Sequence, residues 1–376
     1  MSRYDVLVVG GGPAGSAVAY GLATRGATVL LADRARFPRD KPCGGGLTTR
    51  AFVECPVDPS PVVEDEVDVV ELRFRYRDKV ERHASRPVVR MTQRRRLDLF
   101  LLDAARAAGV VVREGVGVRL GDRPVVGGEP ISADVVVGAD GANGTSARAL
   151  GLGGDIVRGV ALEANVPFGA VPRERYAGRA VIELADIPGG YGWVFPKGDH
   201  VNVGVGAWES EGPRLRAHLQ RLCEAHAIDP DAMVDLRGHR LPLRRRETRV
   251  AADRSLLVGD AAGLVDPVSG DGMYECFVSA RCASDAILDL LGGASPSLAP
   301  YGAALDARVA SLHRASWILK RALDRWPRSS WRIARTKLLW SSVERLLLGE
   351  VAAPGDVEGM PRLPLRGLQL LGRARL

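Results

Sequence analysis

A single cysteine, Cys43, is followed directly by three glycines in the stretch KPCGGGL, residues 41–47. A thiol can act as a nucleophile, a redox group or an acid, although its ordinary pKa of ~8.5 makes it a modest proton donor. A redox-active disulfide with a partner five residues further on is excluded, because position 48 is Thr48. Glycine is the residue that lets a backbone approach a ligand closely. The stretch therefore indicates either chemistry at Cys43 or a small residue packed into a tight turn.

The second chemical pattern is a glycine motif near the N-terminus. Gly10, Gly12 and Gly15 have the spacing G-x-G-x-x-G, with Pro13 and Ala14 between the last two. The motif follows an apolar run and opens a helical pattern, so its backbone N–H groups can bind a pyrophosphate. Asp33 ends the next apolar run, where an acid can bond a ribose hydroxyl. These five residues, with Asp33 and the adjacent Arg34, are predicted to bind a dinucleotide cofactor.

Two later segments identify that cofactor. Asp140 ends the run DVVVGAD, and Gly259-Asp260 ends SLLVGD. With the opening motif they resemble, in this order, the FAD domain of the aromatic-hydroxylase-like flavoproteins. The resemblance implies that the first motif binds the ADP half, the second lies near flavin and nicotinamide, and the third meets the ribityl chain and pyrophosphate. It also implies a cofactor-contacting arginine at Arg94, with Arg95 or Arg96 as alternatives and a solvated basic face as the other interpretation.

Three stretches narrow the resemblance further: KPCGGGL, YGWVFPKGDHVNVGVG (191–206) and GDAAGLVDPVSGDGM (259–273). They look like the geranylgeranyl reductase family of flavoproteins, which hydrogenates isolated double bonds of isoprenoid chains. Two departures concern proton handling: Asp271 stands where the family commonly has Glu, and Gly45 or Gly46 where some members carry an acid. By this resemblance we assign catalytic roles to Cys43, Gly44 and Gly45, and cofactor contacts to Cys43, Gly44, Pro267, Gly270, Gly272 and Met273.

An aromatic row is the candidate substrate wall. Tyr191, Trp193 and Phe195 recur at period two, so they share one face of a strand. Pro196 follows at a turn, and Gly204 lies on the returning strand. We predict that these five residues bind substrate in an apolar channel, the alternative being a sheet face packed in the core.

The elements that position these residues are predicted from periodicity. The continuous apolar run at 5–10 indicates a buried parallel strand, and 134–141 and 254–263 each indicate such a strand followed by a turn or loop. The pattern over 94–109 indicates a helix. Residues 155–250 mostly alternate, as in an antiparallel sheet. The predicted fold class is α/β: a Rossmann-type FAD-binding domain, an inserted antiparallel-sheet substrate domain and a C-terminal helical region. The FAD-binding domain comprises 1–50, 90–155 and 250–295, the substrate domain 51–89 and 156–249, and the helical region 296–376.

The C-terminal segment 311–350 is basic and rich in tryptophan. It carries nine Lys or Arg against three acids, and four of the six tryptophans of the chain. Such a helix can lie on an anionic membrane surface. The alternative is a pair of helices packed on the catalytic domain with a solvated basic face, and periodicity alone does not separate the two. Residues 351–376 are expected either to move freely or to pack back on the domain.

Composition bounds the remaining possibilities. Net charge is +7, the 46% hydrophobic content is that of a globular protein, and no apolar run approaches a membrane span. The five cysteines include no C-x-x-C pair, so no metal site is predicted and a reducing cytoplasmic location is expected. Peripheral contact at the inner face of the cell membrane belongs to the first of the two alternatives for 311–350. No nucleic-acid reader motif is present.

The expected activity is an FAD-dependent reductase of polyprenyl double bonds. The alternatives are an FAD-dependent monooxygenase of an apolar or aromatic substrate and a flavin-dependent polyene cyclase or isomerase. A second G-x-G-x-x-G motif in a strand–turn–helix setting is absent from the sequence, which argues against a dedicated NADPH domain. NADPH, ferredoxin and a reduced deazaflavin all stay open as the external electron donor, and no oligomeric state is predicted.

Overall fold

The computed structural model of the protein describes residues 2–245 and 248–373, so the outermost residues of the predicted first and last segments, Met1 and 374–376, lie outside it. The strands are β1 (Arg3–Val9), β2 (Val29–Asp33), β3 (Gly46–Thr48), β4 (Asp65–Val67), β5 (Val69–Phe74), β6 (Asp78–His83), β7 (Val89–Met91), β8 (Val111–Glu114), β9 (Val118–Arg119), β10 (Val125–Val126), β11 (Glu129–Pro130), β12 (Ser132–Gly138), β13 (Ile156–Pro167), β14 (Arg179–Leu184), β15 (Tyr191–Pro196), β16 (His200–Trp208), β17 (Val234–Arg244) and β18 (Ser255–Leu257).

The helices are α1 (Pro13–Ala23), α2 (Thr49–Glu54), α3 (Arg94–Ala107), α4 (Ser146–Ala149), α5 (Leu215–Ala225), α6 (Met273–Leu291), α7 (Pro300–Arg325), α8 (Pro327–Ala334), α9 (Lys337–Leu347) and α10 (Arg362–Arg373). The helix predicted over 94–109 is confirmed as α3, two residues shorter. Pro327 separates α7 from α8, because proline lacks the N–H that a helix interior needs but fits the first position of a new helix.

A five-stranded parallel sheet forms the first layer, in the order β18-β12-β1-β2-β8. Its strands come from both ends of the predicted FAD-binding segments and are brought together only by folding. Val6 and Val8 of β1 are fully buried against helices α1, α3 and α6, whereas Leu7 faces the opposite side and is buried there too. Burial on both faces explains why this strand is a continuous apolar run rather than an alternating one. The Rossmann-type part of the predicted fold class is confirmed.

The second layer is a seven-stranded sheet in the order β17-β13-β16-β15-β14-β5-β6. Five of its six neighbouring pairs are antiparallel, as the alternating sequence indicates, but β14 and β5 run parallel, with Arg179 opposite Val69. These two strands lie far apart in the chain, so no hairpin constrains their relative direction. The inserted sheet is therefore mixed at this one junction. Helix α5 covers its outer face.

The C-terminal helices α7–α10 pack against one another and over the seven-stranded sheet. Trp331 and Trp340 are buried, and the Trp317 ring stacks on Trp208 at 6.3 Å between centroids. A surface-lying amphipathic helix needs its tryptophans exposed, so the structure favours the packing alternative for 311–350. Segment 351–373 packs back on the domain, with α10 against α7, α8 and α9. Among the described residues, no helix is both long enough and apolar enough to span a membrane.

Candidate functional site

One large cavity of about 1360 Å³ lies between the parallel sheet, the seven-stranded sheet and the C-terminal helices. Small-molecule pockets commonly have volumes of roughly 300–1,000 Å³. This cavity, called the large cavity below, therefore has room for a cofactor and a second molecule. Its two ends differ: the glycine turns lie at one end, and the other is lined mainly by apolar side chains.

The turn between β1 and α1 forms the polar end. Gly10 and Gly12 line the large cavity, and no side chain of the described residues caps the N-terminus of α1, which begins at Pro13. A Cβ on Gly10 would lie 2.4 Å from the carbonyl oxygen of Ala139, so glycine is needed for the backbone to pass there. An uncapped helix N-terminus offers N–H groups and a positive partial charge to an anion. The geometry suits a pyrophosphate.

Two arginines add charge beside this turn. The buried Arg94 donates to Asp98 from Nε at 2.7 Å and from Nη2 at 2.9 Å, and Arg39 Nη2 lies 3.0 Å from the same carboxylate. Although burial disfavours a charged guanidinium, the Asp98 charge outweighs it and raises the pKa of Arg94. Two cations share one carboxylate, so a net positive charge is left for an anion. Of the three arginines considered in the sequence, Arg94 alone lines the large cavity, whereas Arg96 pairs with Glu64.

Asp33 lies on the cavity wall at the end of β2. Its Oδ2 accepts a hydrogen bond from Gly11 N at 2.7 Å, and its Oδ1 accepts one from Ala35 N at 2.8 Å. The carboxylate thus holds the glycine turn and still keeps lone pairs for a further donor. The neighbouring Arg34 also lines the large cavity.

Asp260 lies where β18 leads into the third motif. Its Oδ2 accepts from Lys41 Nζ at 3.3 Å, and His239 Nε2 lies 3.8 Å from the same oxygen. Burial alone would raise the pKa of Asp260, but the Lys41 charge and His239 outweigh it and hold the pKa well below its usual range. The carboxylate is therefore a permanent acceptor on the cavity wall.

Asp140 has a partly structural task. Its Oδ2 accepts from the backbone N–H groups of Thr145 and Ser146 and from the Ser146 hydroxyl, at 2.7 to 2.9 Å. These bonds fix the turn that leads into α4. Its Oδ1 is buried without a hydrogen-bond partner among the described residues.

The KPCGGGL stretch is held as a fixed turn on the cavity wall. Cys43 N donates to Glu163 Oε1 at 2.7 Å, and Lys197 Nζ donates to the Cys43 carbonyl at 2.9 Å. Gly45 has a φ of +84°, and a Cβ there would lie 2.2 Å from Thr92 O. Gly44 packs against the ring of Phe195. Cys43 borders the large cavity and its thiol is free, not part of a disulfide. The two hydrogen bonds that fix this residue involve its backbone N–H and carbonyl.

The aromatic row stands beside this turn. Tyr191, Trp193 and Phe195 all line the large cavity, with neighbouring ring centroids 5.9 and 6.3 Å apart. Trp193 Nε1 donates to Asn202 at 2.7 Å, which fixes the indole. Gly204 lies beneath that indole and does not itself line the large cavity; Pro196 is also off the wall. The predicted channel wall therefore consists of three residues rather than five.

Asp271 is an acid on the cavity wall. Its Oδ1 accepts from Met273 N at 2.9 Å, and its Oδ2 is buried without a partner among the described residues. Burial and the nearby charge of Glu275 raise the pKa of Asp271 to about 7. Glu275 itself is fully buried, and its Oε1 lies 3.4 Å from His313 Nε2. Asp271 can therefore hold a proton near neutral pH.

The other end of the large cavity is apolar, and it is the part that sequence reasoning missed. Its residues come from β5, β14 and the C-terminal helices, segments too distant in the chain for a pattern to connect. The missed cationic residues Arg39 and Lys41 stand in the stretch RFPRDKPC, whose basic character is a signal that could have identified them. The apolar lining includes Val70, Leu72, Phe74, Ile182, Leu184, Leu319, Leu323, Trp331, Leu339, Trp340, Leu346, Leu365 and Leu368.

The structure brings most of the predicted site residues together around one space. Two predicted cofactor residues are off the wall: Gly15 packs α1 on the turn, where a Cβ would lie 1.9 Å from Gly10 O, and Gly259 lies against Ala14 and Cys276. Gly15 thus has the helix-packing task expected of the third glycine. The predicted residues that line the large cavity are Gly10, Gly12, Pro13, Ala14, Asp33, Arg34, Cys43, Gly44, Gly45, Arg94, Asp140, Tyr191, Trp193, Phe195, Asp260, Pro267, Gly270, Gly272 and Met273.

Comparisons with known proteins agree with this geometry. The FAD binding domain family matches residues 3–293. The chloroplastic geranylgeranyl diphosphate reductase of Oryza sativa is 31% identical, covering 86% of this chain and 74% of its own. Digeranylgeranylglycerophospholipid reductase 1 of Methanopyrus kandleri is also 31% identical, covering 77% and 81%. The fold is shared with a geranylgeranyl bacteriochlorophyll reductase-like protein of Thermoplasma acidophilum, at a TM-score of 0.78 and 23% identity over 97% and 96% of the two chains.

Proposed function

The chain belongs to the geranylgeranyl reductase family of FAD-dependent oxidoreductases, and from this membership we propose that it hydrogenates isolated C=C bonds of a polyprenyl substrate. The observation that carries the proposal is the continuity of the large cavity. The glycine turns and the apolar end line one space, with the aromatic row and Cys43 between them. A long, flexible hydrocarbon needs such a lining, because its binding energy comes from apolar surface removed from water.

The residues at the polar end fit FAD. The uncapped N-terminus of α1, with Arg39 and Arg94 beside it, suits the pyrophosphate, and Asp33 suits the ribose. Asp260 suits the ribityl hydroxyls because it stays ionised. FAD, once reduced, supplies the hydride for the reaction. The remaining task of the protein is to position the alkene, exclude water and provide a proton.

The main contribution of the residues that line the large cavity is to position the alkene. An isolated alkene has no carbonyl for the protein to polarise, so orientation matters most, and a near-attack arrangement can supply roughly 7–11 kcal/mol of a barrier. We propose that Tyr191, Trp193 and Phe195 hold the polyprenyl chain of the substrate. The fixed turn at Cys43, Gly44 and Gly45 borders the carbons that react. A dry cavity also protects any developing positive charge from water.

The second alkene carbon must receive a proton. We propose Asp271 as its donor, because Asp271 lies on the cavity wall, its Oδ2 has no hydrogen-bond partner among the described residues, and its pKa is raised to about 7. A carboxylic acid of that pKa is well matched to proton transfer at neutral pH. We propose that the Cys43 thiol also lies beside the carbons that react.

The test uses the flavin-loaded protein under anaerobic conditions. Dithionite reduces the flavin without requiring a particular physiological donor, and the protein is then incubated with geranylgeranyl diphosphate, geranylgeraniol or a menaquinone. Mass spectrometry of the products decides the reaction class. We expect products that gain two hydrogens per bond reduced.

The same experiment separates the alternatives. A product that gains one oxygen atom when air is admitted would identify a monooxygenase, and one of unchanged composition would identify a cyclase or isomerase. Protein that retains no flavin after addition of excess FAD would contradict all three activities.

A further inference from the structure

A cluster of acids with one histidine lies between the loop that precedes α6, α6 itself and α7. One side-chain oxygen each of Asp266 and Glu275 and one ring nitrogen of His313 all lie within 4.8 Å of one another. These three residues are more than nine-tenths buried. Asp271 adjoins them, because its carbonyl accepts a hydrogen bond from Asp266 N at 2.8 Å. We call these four residues the buried acid cluster.

Much of the hydrogen-bonding capacity of the buried acid cluster is unused. Five of its side-chain atoms are buried without a hydrogen-bond partner among the described residues: Oε1 and Oε2 of Glu275, Oδ2 of Asp266, Oδ2 of Asp271 and Nε2 of His313. His313 Nε2 nevertheless lies 3.4 Å from Glu275 Oε1. A buried charge without a partner is costly. A proton placed between two such groups lowers that cost, because it gives one group a donor for the other.

Asp266 has a structural task within the cluster. Its Oδ1 accepts from the N–H groups of Val268 and Ser269 and from the Ser269 hydroxyl, at 2.8 to 3.0 Å. These bonds fix the loop that carries Asp271 onto the wall of the large cavity. The position of Asp271 is therefore set by the loop, and its side chain is left for chemistry.

The other three members differ in what they face. Asp271 lines the large cavity, the Glu275 side chain is completely buried, and the His313 side chain on α7 is 9% exposed. Glu275 lies in the first turn of α6, four residues after Asp271, and α6 packs on α7. Glu275 therefore lies between a group that faces the large cavity and a group that solvent reaches.

Several charges act on Asp271 from the elements around it. Burial raises its pKa, and so do the charges of Glu275 on α6 and Asp266 in the loop, whereas Arg50 on α2 lowers it. A donor in this position must recover a proton after each reaction. With a hydrocarbon chain filling the large cavity and excluding water, that proton needs a route that does not cross the cavity.

We propose that His313 and Glu275 return a proton to Asp271 after each reduction, so that they form a proton relay from solvent to the large cavity. The proposal rests on the proposed function, in which Asp271 protonates the alkene. His313 and Glu275 do not touch the substrate in this scheme; they act through Asp271.

The proton balance of the relay closes in each turnover. The O–H bond of the Asp271 carboxylic acid breaks as a C–H bond forms at the alkene carbon. Protonated Glu275 then donates to the Asp271 carboxylate, and protonated His313 donates to the Glu275 carboxylate. Neutral His313 takes a proton from solvent, so one proton enters for each hydride transferred and the cluster returns to its starting state.

The first test compares single with repeated turnover in His313→Gln. Flavin-loaded protein is reduced anaerobically and mixed with geranylgeranyl diphosphate below the pKa of Asp271, so that the donor already holds its proton. We expect the first reduction at the wild-type rate. Later reductions, with dithionite in excess, should be about tenfold or more slower, because reprotonation has lost its acid–base group.

The matched control is another histidine that faces a glutamate. His218 on α5 has its Nε2 3.7 Å from Glu211 Oε2, and neither residue lines the large cavity. His218→Gln should match the wild type in the first and the later reductions. Equal slowing of the first and the later reductions in His313→Gln would overturn the relay, because a structural defect slows both.

Chemical rescue separates proton transfer from packing. His313→Ala should show the same slow repeated turnover, and added imidazole should restore it, because a free base can take the place of the side chain and carry the proton. His218→Ala should not respond. Slow repeated turnover that imidazole leaves unchanged contradicts the proposal.

A pH jump on the oxidised, flavin-loaded protein tests the relay without turnover. The saturated isoprenoid alcohol phytanol fills the large cavity, and infrared spectroscopy follows the carboxylic acid band that Asp271→Asn removes. After a jump from above to below the pKa of Asp271 in each variant, we expect His313→Gln and Glu275→Gln to gain this band about tenfold or more slowly than the wild type.

The outcomes of the pH jump are distinct from those of the reductase assay. Equal rates in the wild type and both variants overturn the relay. So does a divalent cation that copurifies with the protein in a one-to-one ratio and is lost in Glu275→Gln, because it would occupy the lone pairs that the proton needs. Wild-type protein that binds phytanol but reduces no alkene contradicts the reductase function instead, and the pH jump still decides whether His313 and Glu275 supply protons to Asp271.

Discussion

The ring of Phe74 stacks on the ring of Trp331 at 5.4 Å and 16°, and this contact joins the seven-stranded sheet to α8 at the apolar end of the large cavity. Both side chains are largely buried. Aromatic pairs are worth about 0.5–1.5 kcal/mol beyond the area they bury. We therefore expect a double-mutant cycle of Phe74→Leu and Trp331→Leu, measured by urea unfolding, to give a coupling free energy of that size. Strictly additive effects would show that the stack contributes nothing beyond burial.

Asp260 is expected to control retention of FAD. Asp260→Asn removes an ionised acceptor and leaves Lys41 without its partner, so we expect FAD affinity to fall about tenfold or more, since bonds to charged groups are worth roughly 1.5–3 kcal/mol. Fluorescence titration of the apoprotein with FAD measures this. Because the pKa of Asp260 is held low, the deficit should be the same at about pH 5 and about pH 8. Asp285→Asn, at an exposed ion pair with Arg25, is the control and should bind FAD normally.

Proton donation by Asp271 predicts a particular pH dependence. The donor form is the protonated acid, which is populated below the raised pKa of about 7 and lost as pH rises through it. The rate of the single-turnover reaction should therefore fall above about pH 7. Asp271→Asn should lower that rate by roughly 10²–10⁴-fold and remove the pH dependence. Asp271→Glu keeps an acid, so it should retain the falling limb; an Asp271→Asn variant with the wild-type profile would assign the proton to another group.

Cys43 is tested by the most conservative change available. Cys43→Ser keeps the size of the side chain and the backbone contacts to Glu163 and Lys197. If the thiol acts at the reacting carbons, we expect a loss of about tenfold or more in rate, or a change in the number of bonds reduced. Unchanged rate and product would assign Cys43 to packing. Cys282→Ser, at a buried free thiol on α6 outside the large cavity, is the matched control.

Gly45 is expected to be required by backbone geometry. Gly45→Ala places a Cβ at φ +84° and 2.2 Å from Thr92 O, whereas Gly26→Ala places one at φ +90° with no atom of the described chain within 4 Å. Both variants should lose the roughly 1–3 kcal/mol typical of a strained residue, seen as a lower free energy of unfolding in urea. Gly45→Ala should lose more, because the carbonyl must also move. Equal losses would mean that the turn relaxes freely.

The motifs and their local elements followed from the sequence. G-x-G-x-x-G between an apolar strand and a helix, with Asp33 and Asp260 after two further strands, depends on short-range spacing that the chain preserves in any fold. The period-two row Tyr191, Trp193 and Phe195 likewise placed three rings on one face. Pro196 and Gly204 do not line the large cavity, and the pattern did not show this, because strand periodicity specifies a face, not whether a neighbouring ring covers it.

What only the tertiary structure decided is which distant segments share a space. Phe74, Ile182 and Trp331 line the same end of the large cavity although they lie far apart in the chain, and no periodic pattern relates them. The parallel pairing of β14 with β5 and the burial of Trp331 and Trp340 have the same origin. Local propensity and spacing are encoded within a few turns of chain. Cavities, shared charges such as Arg39 and Arg94 on Asp98, and the raised pKa of Asp271 depend instead on contacts that exist only once the layers have packed.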